Sequence, residues 1–147
     1  MTDIVDLVLQ DHRTVQAMFD ELQAATGADD QAKLFVEVKE ALESHASAEE
    51  KVLYPRVRKD VPEGREEAKD AIEEHDQIRE SLNEVEERDA GTELFILAVA
   101  QLVATTKQHV GVEETELLPD FRNNNEASER ESLGLRFEEA KTRAATS

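Results

Sequence analysis

Apolar residues recur every three or four positions in four long segments of this chain, which is the spacing of one face of an α-helix. In chain order, the four stripes comprise Ile4, Val8, Val15, Phe19 and Leu22; Leu34, Val38, Leu42 and Val52; Ala68, Ile72, Ile78, Leu82 and Val85; and Phe95, Ala98, Leu102, Val112 and Leu117. Most glycines and prolines fall near the segment ends, and β-branched and aromatic residues never alternate over a strand length. The sequence therefore predicts an all-α protein, an up-down-up-down antiparallel four-helix bundle.

A fifth segment follows the four. The stretch Ser128-Glu-Arg-Glu131 has the pattern of a helix start, and Leu133, Phe137 and Ala140 follow it at helical spacing. We therefore expect a short fifth, C-terminal helix. This interpretation divides the chain into a bundle over residues 1–120 and a C-terminal extension over residues 121–147.

Composition excludes several classes of protein. The chain has no cysteine, which excludes disulfides, zinc fingers, iron–sulfur clusters and a thiol nucleophile. Its 35 acidic residues against 17 basic ones give a net charge of −18, which argues against nucleic acid or an anionic membrane as a partner. The longest uninterrupted apolar run, Leu94–Ala100, has seven residues, whereas a membrane span needs about 20. We expect a soluble, cytoplasmic protein.

Each long segment carries one of the four histidines, and each histidine fills a gap in its apolar stripe. These residues are His12, His45, His75 and His109. A single histidine on an apolar face is more often a satisfied core residue than a metal ligand. Four of them converging on one core would compete for few hydrogen-bonding partners, whereas a shared metal satisfies them all.

Two glutamates complete this pattern. Glu49 and Glu113 each follow a histidine by four residues, so each lies one turn further along the same buried face. Both pairs belong to a repeat, HxxxEExxLxP, that covers residues 45–55 and 109–119. The repeat makes the second and fourth helices quasi-equivalent and predicts a site with pseudo-two-fold symmetry at the bundle centre.

The number and type of these ligands indicate which metal they suit. Four imidazole nitrogens and two carboxylates exceed the four ligands that zinc prefers, and they suit two octahedral ions. Mixed imidazole and carboxylate ligation favours iron or manganese, with iron expected for redox chemistry. With an oxo or hydroxo bridge, two coordination positions would stay open for a small ligand. A ferritin-like site is disfavoured, because no histidine has a glutamate three residues before it.

The Asp11-His12 and Glu74-His75 pairs and the doubled His-xxx-Glu-Glu motif resemble the hemerythrin-like, or HHE cation-binding, domain over residues 1–120. The resemblance implies an antiparallel four-helix bundle with a non-haem di-iron centre, bridged by oxygen and two carboxylates. Carried over by position, the metal ligands are His12, His45, Glu49, His75, His109 and Glu113.

The chain departs from oxygen-carrying hemerythrins at one position. Those proteins have a further histidine one turn after the third-helix histidine, where this chain has Arg79. Arginine cannot ligate a metal, so reversible oxygen carriage is in doubt. Tyr54, the only tyrosine, either fills the missing position or is a core aromatic residue. Arg79 is either a surface residue or the partner of a glutamate near the site.

Three classes of function follow from this pattern. The first is a di-iron redox enzyme acting on hydrogen peroxide, in a catalase-like reaction, or on nitric oxide, with Glu50 or Tyr54 moving protons. The second is a protein that binds dioxygen or stores iron. The third is a sensory or regulatory module acting through a partner protein, for which the fifth helix is the candidate surface. A bundle without metal is the remaining alternative.

Overall fold

The computed structural model describes residues 2–146, and across them the chain is helical without a strand. The bounds of the α-helices are α1 Ile4–Ala24, α2 Ala28–Ala48, α3 Tyr54–Asp60, α4 Gly64–Glu86, α5 Glu93–Val112, α6 Leu118–Asn123 and α7 Ala127–Thr146. Two five-residue π-helical segments interrupt this series: the first π segment, Glu49–Leu53, joins α2 to α3, and the second π segment, Glu113–Leu117, joins α5 to α6. The predicted all-α bundle with an added C-terminal helix is confirmed.

The order of buried residues along each helix shows the antiparallel arrangement. The core consists of two apolar clusters separated by the histidine layer. The first apolar cluster includes Ile4, Val8, Ala48, Ala71, Leu117, Phe121 and Phe137, and the second includes Val15, Phe19, Leu42, Ile78, Leu82, Val99 and Val103. α1 and α4 run from the first cluster through their histidine to the second, whereas α2 and α5 run the opposite way.

Side-chain caps define where two of the bundle helices begin. Asp3 accepts a hydrogen bond from the Val5 amide at 2.8 Å at the start of α1, and Thr92 accepts one from the Phe95 amide at 3.3 Å at the start of α5. Gly91 precedes this second cap with a φ of 85°, a conformation that costs glycine little. These caps satisfy amides that have no partner within the helix.

The C-terminal helix is longer than the sequence predicts. α7 begins at Ala127, one residue before Ser128, and has 20 residues. Leu133, Phe137 and Ala140 join the first apolar cluster, so the predicted apolar stripe does pack on the bundle. A Cβ on Gly134 would lie 2.0 Å from the Thr2 carbonyl oxygen, which shows how closely α7 crosses the start of the chain.

Both π segments come directly before a repeated proline. Pro55 and Pro119 each lie in the first turn of the helix that follows a π segment. A proline inside a helix has no N–H to donate and its ring clashes with the carbonyl four residues earlier, so a wider turn at this point relieves both problems. The Tyr54 amide accordingly bonds to the Glu49 carbonyl, five residues back. Among the described residues, none of the helices has the length and apolarity to cross a membrane.

Candidate metal centre

The structure brings all six predicted ligand residues together in the layer between the two apolar clusters. They form two overlapping groups, His12, His45, Glu49 and Glu113, and Glu49, His75, His109 and Glu113. Within each group, one ligand atom from every residue lies within 4.8 Å of the others. All six residues are buried, and Glu49 and Glu113 are 0% and 1% exposed. Both glutamates belong to both groups, which is the arrangement the repeat predicts.

A carboxylate orients every histidine of the cluster. The bonds run from Nδ1 of His12 to Glu114 at 2.7 Å, of His45 to Asp11 at 2.7 Å, of His75 to Glu50 at 2.6 Å, and of His109 to Glu74 at 2.7 Å. Because Nδ1 is held on the outside, Nε2 of each ring is the nitrogen that faces the two buried glutamates. Metal-ligating histidines use this same arrangement to fix their orientation and raise their basicity.

The orienting carboxylates follow the pseudo-two-fold symmetry of the sequence. Asp11 and Glu74 each precede one histidine and hold the histidine of the next long helix. Glu50 and Glu114 each follow one buried glutamate and hold a histidine in the opposite half of the chain. Each half of the molecule therefore depends on the other for the geometry of one histidine.

Several buried polar atoms in the layer have no hydrogen-bond partner. They are His45 Nε2, His109 Nε2 and Glu49 Oε2. A buried donor or acceptor without a partner costs about 1–3 kcal/mol, more if it is charged. A metal bound to the imidazole nitrogens and carboxylate oxygens would satisfy all three atoms, and this donor set suits a transition metal. The residues present therefore fit the metal that the motif implies.

The electrostatics of the layer show how the protein tolerates these groups without a metal. Burial alone would lower the pKa of His45 and His109. The carboxylates beside them outweigh burial: Glu49 and Asp11 raise the pKa of His45 to about 10, and Glu113, Glu49 and Glu74 raise that of His109 to about 12. In turn, the neighbouring His45 and His109 hold the pKa of Glu49 well below its usual range despite burial. Without a metal, His45 and His109 are therefore protonated at neutral pH, and a metal would displace these protons.

Tyr54 lies inside the same layer and is fully buried. Its hydroxyl donates to Glu113 Oε2 at 2.6 Å and lies 3.2 Å from Glu49 Oε1 and 3.1 Å from His75 Nε2. Burial and the two glutamates raise the pKa of the phenol well above its ordinary value, so the metal-free protein holds it neutral. Tyr54 therefore contacts both shared glutamates, and His75 is the histidine of the layer that it contacts.

The first π segment explains how Tyr54 reaches this position. In a regular α-helix, residues five apart lie roughly 140° apart around the axis, so Glu49 and Tyr54 would face different directions. The wider π turn reduces this angle, and the two side chains come within 3.2 Å. In the second π segment, Leu118 occupies the place of Tyr54.

Arg79 pairs with a glutamate next to the site. Its guanidinium donates to Glu50 Oε2 at 2.9 Å and to Asp76 Oδ1 at 3.3 Å. Glu50 in turn accepts the Nδ1 proton of His75 at 2.6 Å. Arg79 therefore holds the carboxylate that orients His75. Of the two alternatives predicted for Arg79, the structure shows the partner of a glutamate near the site.

A small cavity lies beside the four histidines. Its volume is about 30 Å³, and Val15, Leu42, Ile78 and Leu82 make most of the remaining wall apolar. Since a water molecule needs about 10–15 Å³ of such space, the cavity has room for a ligand of two or three heavy atoms. We call it the apolar cavity.

Sequence reasoning missed three of the four orienting carboxylates, Asp11, Glu74 and Glu114. Glu50 was expected to move protons, and the structure places it against His75. The doublets Asp11-His12, Glu74-His75 and Glu113-Glu114 could have indicated these carboxylates, because in each doublet the orienting acidic residue is adjacent to a residue of the buried layer. Lys141 of α7 also reaches the centre, since its ammonium group bonds Asp11 at 2.6 Å.

The fold and this histidine–carboxylate layer define a helical-bundle protein with a candidate metal centre. Comparison with known families agrees: the family model for the hemerythrin HHE cation-binding domain matches residues 3–130. The chain belongs to this family, and the predicted resemblance is confirmed.

Two relatives are similar to this chain over most of its length. A protein of Nostoc sp. named DNA nickase is 30% identical over 141 residues, which cover 96% of this chain and 40% of the relative. An uncharacterized hemerythrin-like protein of Schizosaccharomyces pombe is 29% identical over 136 residues, covering 92% of this chain and 66% of the relative. The chain thus spans less than two thirds of the length of both relatives. No solved structure matches it significantly.

Proposed function

We propose that the chain binds two iron ions and turns over a small oxidant, with hydrogen peroxide favoured. The observation that carries this proposal is the pair of His₂Glu₂ groups, which share Glu49 and Glu113 beside a cavity of about 30 Å³. His12 and His45 would hold one ion and His75 and His109 the other, while the shared glutamates would contact both. An oxo or hydroxo bridge would complete the pair.

The size and lining of the apolar cavity support the choice of substrate. A cavity of this volume favours a substrate of two or three heavy atoms, and its apolar wall suits a small uncharged molecule. In a catalase-like reaction, two molecules of hydrogen peroxide give one of dioxygen and two of water. One peroxide loses two electrons and two protons, and the other gains them, so no external electron donor is needed. When bound, the iron pair supplies the two-electron redox change.

The remaining residues would position and move protons. Tyr54 holds its phenolic proton against Glu113 at 2.6 Å, inside the layer. Glu50 lies 2.6 Å from His75 Nδ1 and is half-buried, so it connects the layer with the surface. We propose these two groups as the proton donors and acceptors, because both lie within hydrogen-bond distance of the layer.

Oxygen evolution tests this function. The purified protein is loaded with iron, its metal content and absorption spectrum are measured, and oxygen release from peroxide is followed by stopped flow. We expect two irons per chain, near-ultraviolet bands of an oxo bridge, and evolution well above that of free iron. His45→Ala is the control and should lose metal and activity together. A protein with two irons that evolves no more oxygen than free iron would contradict the peroxide reaction.

The same sample distinguishes the alternative functions. A reversible absorption band on aeration, stable for minutes, would favour a dioxygen-binding protein instead. Rapid spectral change with nitric oxide but not with peroxide would favour nitric oxide as the ligand. Loading of many irons per chain would favour an iron store, and metal-dependent binding of a protein partner would favour a sensor.

Tyr54 is the candidate for an additional metal ligand, in place of the histidine that oxygen-carrying hemerythrins have at the position of Arg79. Its hydroxyl lies 3.1 Å from Nε2 of His75, the histidine one turn before Arg79 on α4. If Tyr54 ligates iron, the loaded protein should show a visible phenolate-to-iron band that Tyr54→Phe abolishes while retaining two irons. If the band is absent in the unaltered protein, Tyr54 is a hydrogen-bonding core residue and acts only on protons.

The relative named DNA nickase raises nucleic acid as a possible partner. We propose that this chain does not bind it, because a net charge of −18 opposes approach to phosphates. Fluorescence anisotropy with labelled duplex and single-stranded DNA at low salt is the measurement. Binding at micromolar protein that weakens with salt would contradict this proposal.

We also propose a cytoplasmic location. A chain with no cysteine forms no disulfide and is therefore suited to a reducing compartment. Fractionation of cells carrying a tagged full-length protein checks this.

A further inference from the structure

A second small cavity reaches the metal centre between α4 and the second π segment. Its volume is about 50 Å³. The lining residues that matter here are Glu67, Asp70, Glu74 and Glu116, with His109 and Glu113 where the cavity meets the buried layer. We call this feature the acidic cleft.

The acidic cleft brings carboxyl groups together, and His109 at its inner end is the one basic residue among its described lining residues. None of its nine described lining residues is Lys or Arg. Glu67 Oε2 is buried and has no hydrogen-bond partner, and Asp120, Glu116 and Glu63 lie near it. Together with partial burial, these carboxylates raise the pKa of Glu67 to about 8. Carboxylates crowded in this way are stabilised by a cation.

Elsewhere around the centre, two of the outer carboxylates already have basic partners. Asp11 pairs with Lys141 at 2.6 Å, and Glu50 pairs with Arg79 at 2.9 Å. Arg79 also lines the apolar cavity. A cation approaching from those sides would meet a Lys or Arg side chain or an apolar wall, whereas one approaching through the acidic cleft would meet carboxyl groups before it reaches His109.

Passage of a divalent cation into a buried site has a specific physical requirement. The ion must lose water, and this is costly unless oxygen ligands replace the water as it leaves. Carboxylates at successive depths meet this requirement and also raise the local concentration of cations. In the acidic cleft, Glu67 and Glu116 would be followed by Glu74, which bonds His109 at 2.7 Å, and then by Glu113.

We propose that divalent metal ions enter the centre through the acidic cleft, while the uncharged oxidant uses the apolar cavity. This inference rests on the proposed function, since it requires that the layer binds metal. It assigns to Glu67 and Glu116 a role in metal delivery that is separate from ligation. The ligand class is a hydrated divalent transition-metal cation.

The rate of metal uptake tests the route. Metal-free protein is mixed with Co²⁺ in a stopped-flow instrument, and the absorption of bound Co²⁺ reports its arrival. We expect the double variant Glu67→Gln with Glu116→Gln to take up Co²⁺ about tenfold more slowly, in the lower range of electrostatic steering effects. Its equilibrium affinity for Co²⁺ should stay within about twofold of the unaltered protein, since both ligand groups are intact.

A matched control makes the same two replacements elsewhere. Glu43→Gln with Glu37→Gln also exchanges two glutamates for glutamine, and Glu43 lines the apolar cavity while Glu37 lies on the exposed surface of α2. This control should take up Co²⁺ at nearly the unaltered rate. Circular dichroism of both double variants checks that they remain folded.

The outcomes separate the route from the function. If the cleft variant and the control are slowed equally, or neither is slowed, the acidic cleft is not the route, although the two-metal centre still stands. If the unaltered protein binds no metal, the proposed function itself is wrong.

Discussion

Every histidine of the buried layer uses one ring nitrogen for an outward hydrogen bond to a carboxylate. The four bonds measure 2.6–2.7 Å and leave the other nitrogen facing the layer. The outward bond fixes the orientation of the ring and increases its basicity, which strengthens the bond that it can form to a metal. The orienting residues are therefore as important to the centre as the ligands.

Asp11 gives a direct test of this orientation. We expect Asp11→Asn to weaken metal binding by about 10–100-fold, because a neutral amide polarises His45 less than a carboxylate does. Titration against a competing chelator measures the affinity. Asp20→Asn is the control on the same helix, since Asp20 is exposed and bonds only Gln16. Equal affinities in the two variants would show that Asp11 does not support the centre.

The raised histidine pKa values predict how metal-free protein responds to pH. Since the pKa of His45 is about 10 and that of His109 about 12, above the ordinary 6.5, their stabilising contribution is complete below pH 6.5. We expect it to be lost progressively as the pH rises above 6.5, through about 10 for His45 and about 12 for His109. Urea midpoints of metal-free protein across this range are the measurement. A flat profile would mean that the buried histidines are not protonated.

At the scale of elements, close helix crossings depend on individual glycines. Gly134 lies inside α7, and a Cβ there would meet the backbone of Thr2 at 2.0 Å. Gly111 also lies inside a helix, α5, but a Cβ there would meet nothing within 4 Å. The same substitution should therefore have opposite effects at the two positions.

We expect Gly134→Ala to destabilise the protein by about 1–3 kcal/mol, since backbone must move to admit the methyl group. Gly111→Ala should stabilise it by about 0.5–1 kcal/mol, because alanine is the better helix former. Chemical denaturation of both variants gives the two values. A stabilising Gly134→Ala would mean that α7 does not cross the chain start this closely.

The helical spacing explains which parts of the site the sequence predicts. His12 and Glu49 lie on regular apolar stripes, so their convergence follows from the 3.6-residue period. Tyr54 lies beyond a π turn, where that period no longer applies, and its place in the layer stayed undecided. The partners of Asp11 and Glu114 depend on packing between helices distant in sequence, which a single period does not encode.

At the scale of the whole molecule, α7 packs into the core and touches the centre. Phe137 is fully buried in the first apolar cluster, and its ring lies 5.8 Å from that of His45. Lys141 bonds Asp11 from the same helix. The division between residues 1–120 and 121–147 stays a prediction, and cooperativity of unfolding is the property that tests it.

Phe137→Ala should lower the free energy of unfolding by about 3–5 kcal/mol, the usual effect of such a truncation in a core. Leu135→Ala is the control, because Leu135 is 47% exposed on the same helix, and should change it far less. We expect one cooperative transition in both variants, followed by circular dichroism. Two separate transitions would show that the C-terminal extension unfolds independently of the bundle.

Each half of the chain supplies a carboxylate that orients one histidine of the other half. Glu50 orients His75 and Glu114 orients His12, so each half-chain contains one histidine whose orienting carboxylate lies in the other half. Cutting the loop before Gly64 would yield two fragments, each with two of the four histidines. Neither fragment alone should retain metal through gel filtration, whereas mixing them should restore a one-to-one complex that does. Metal retention would then report the reassembly of a split protein.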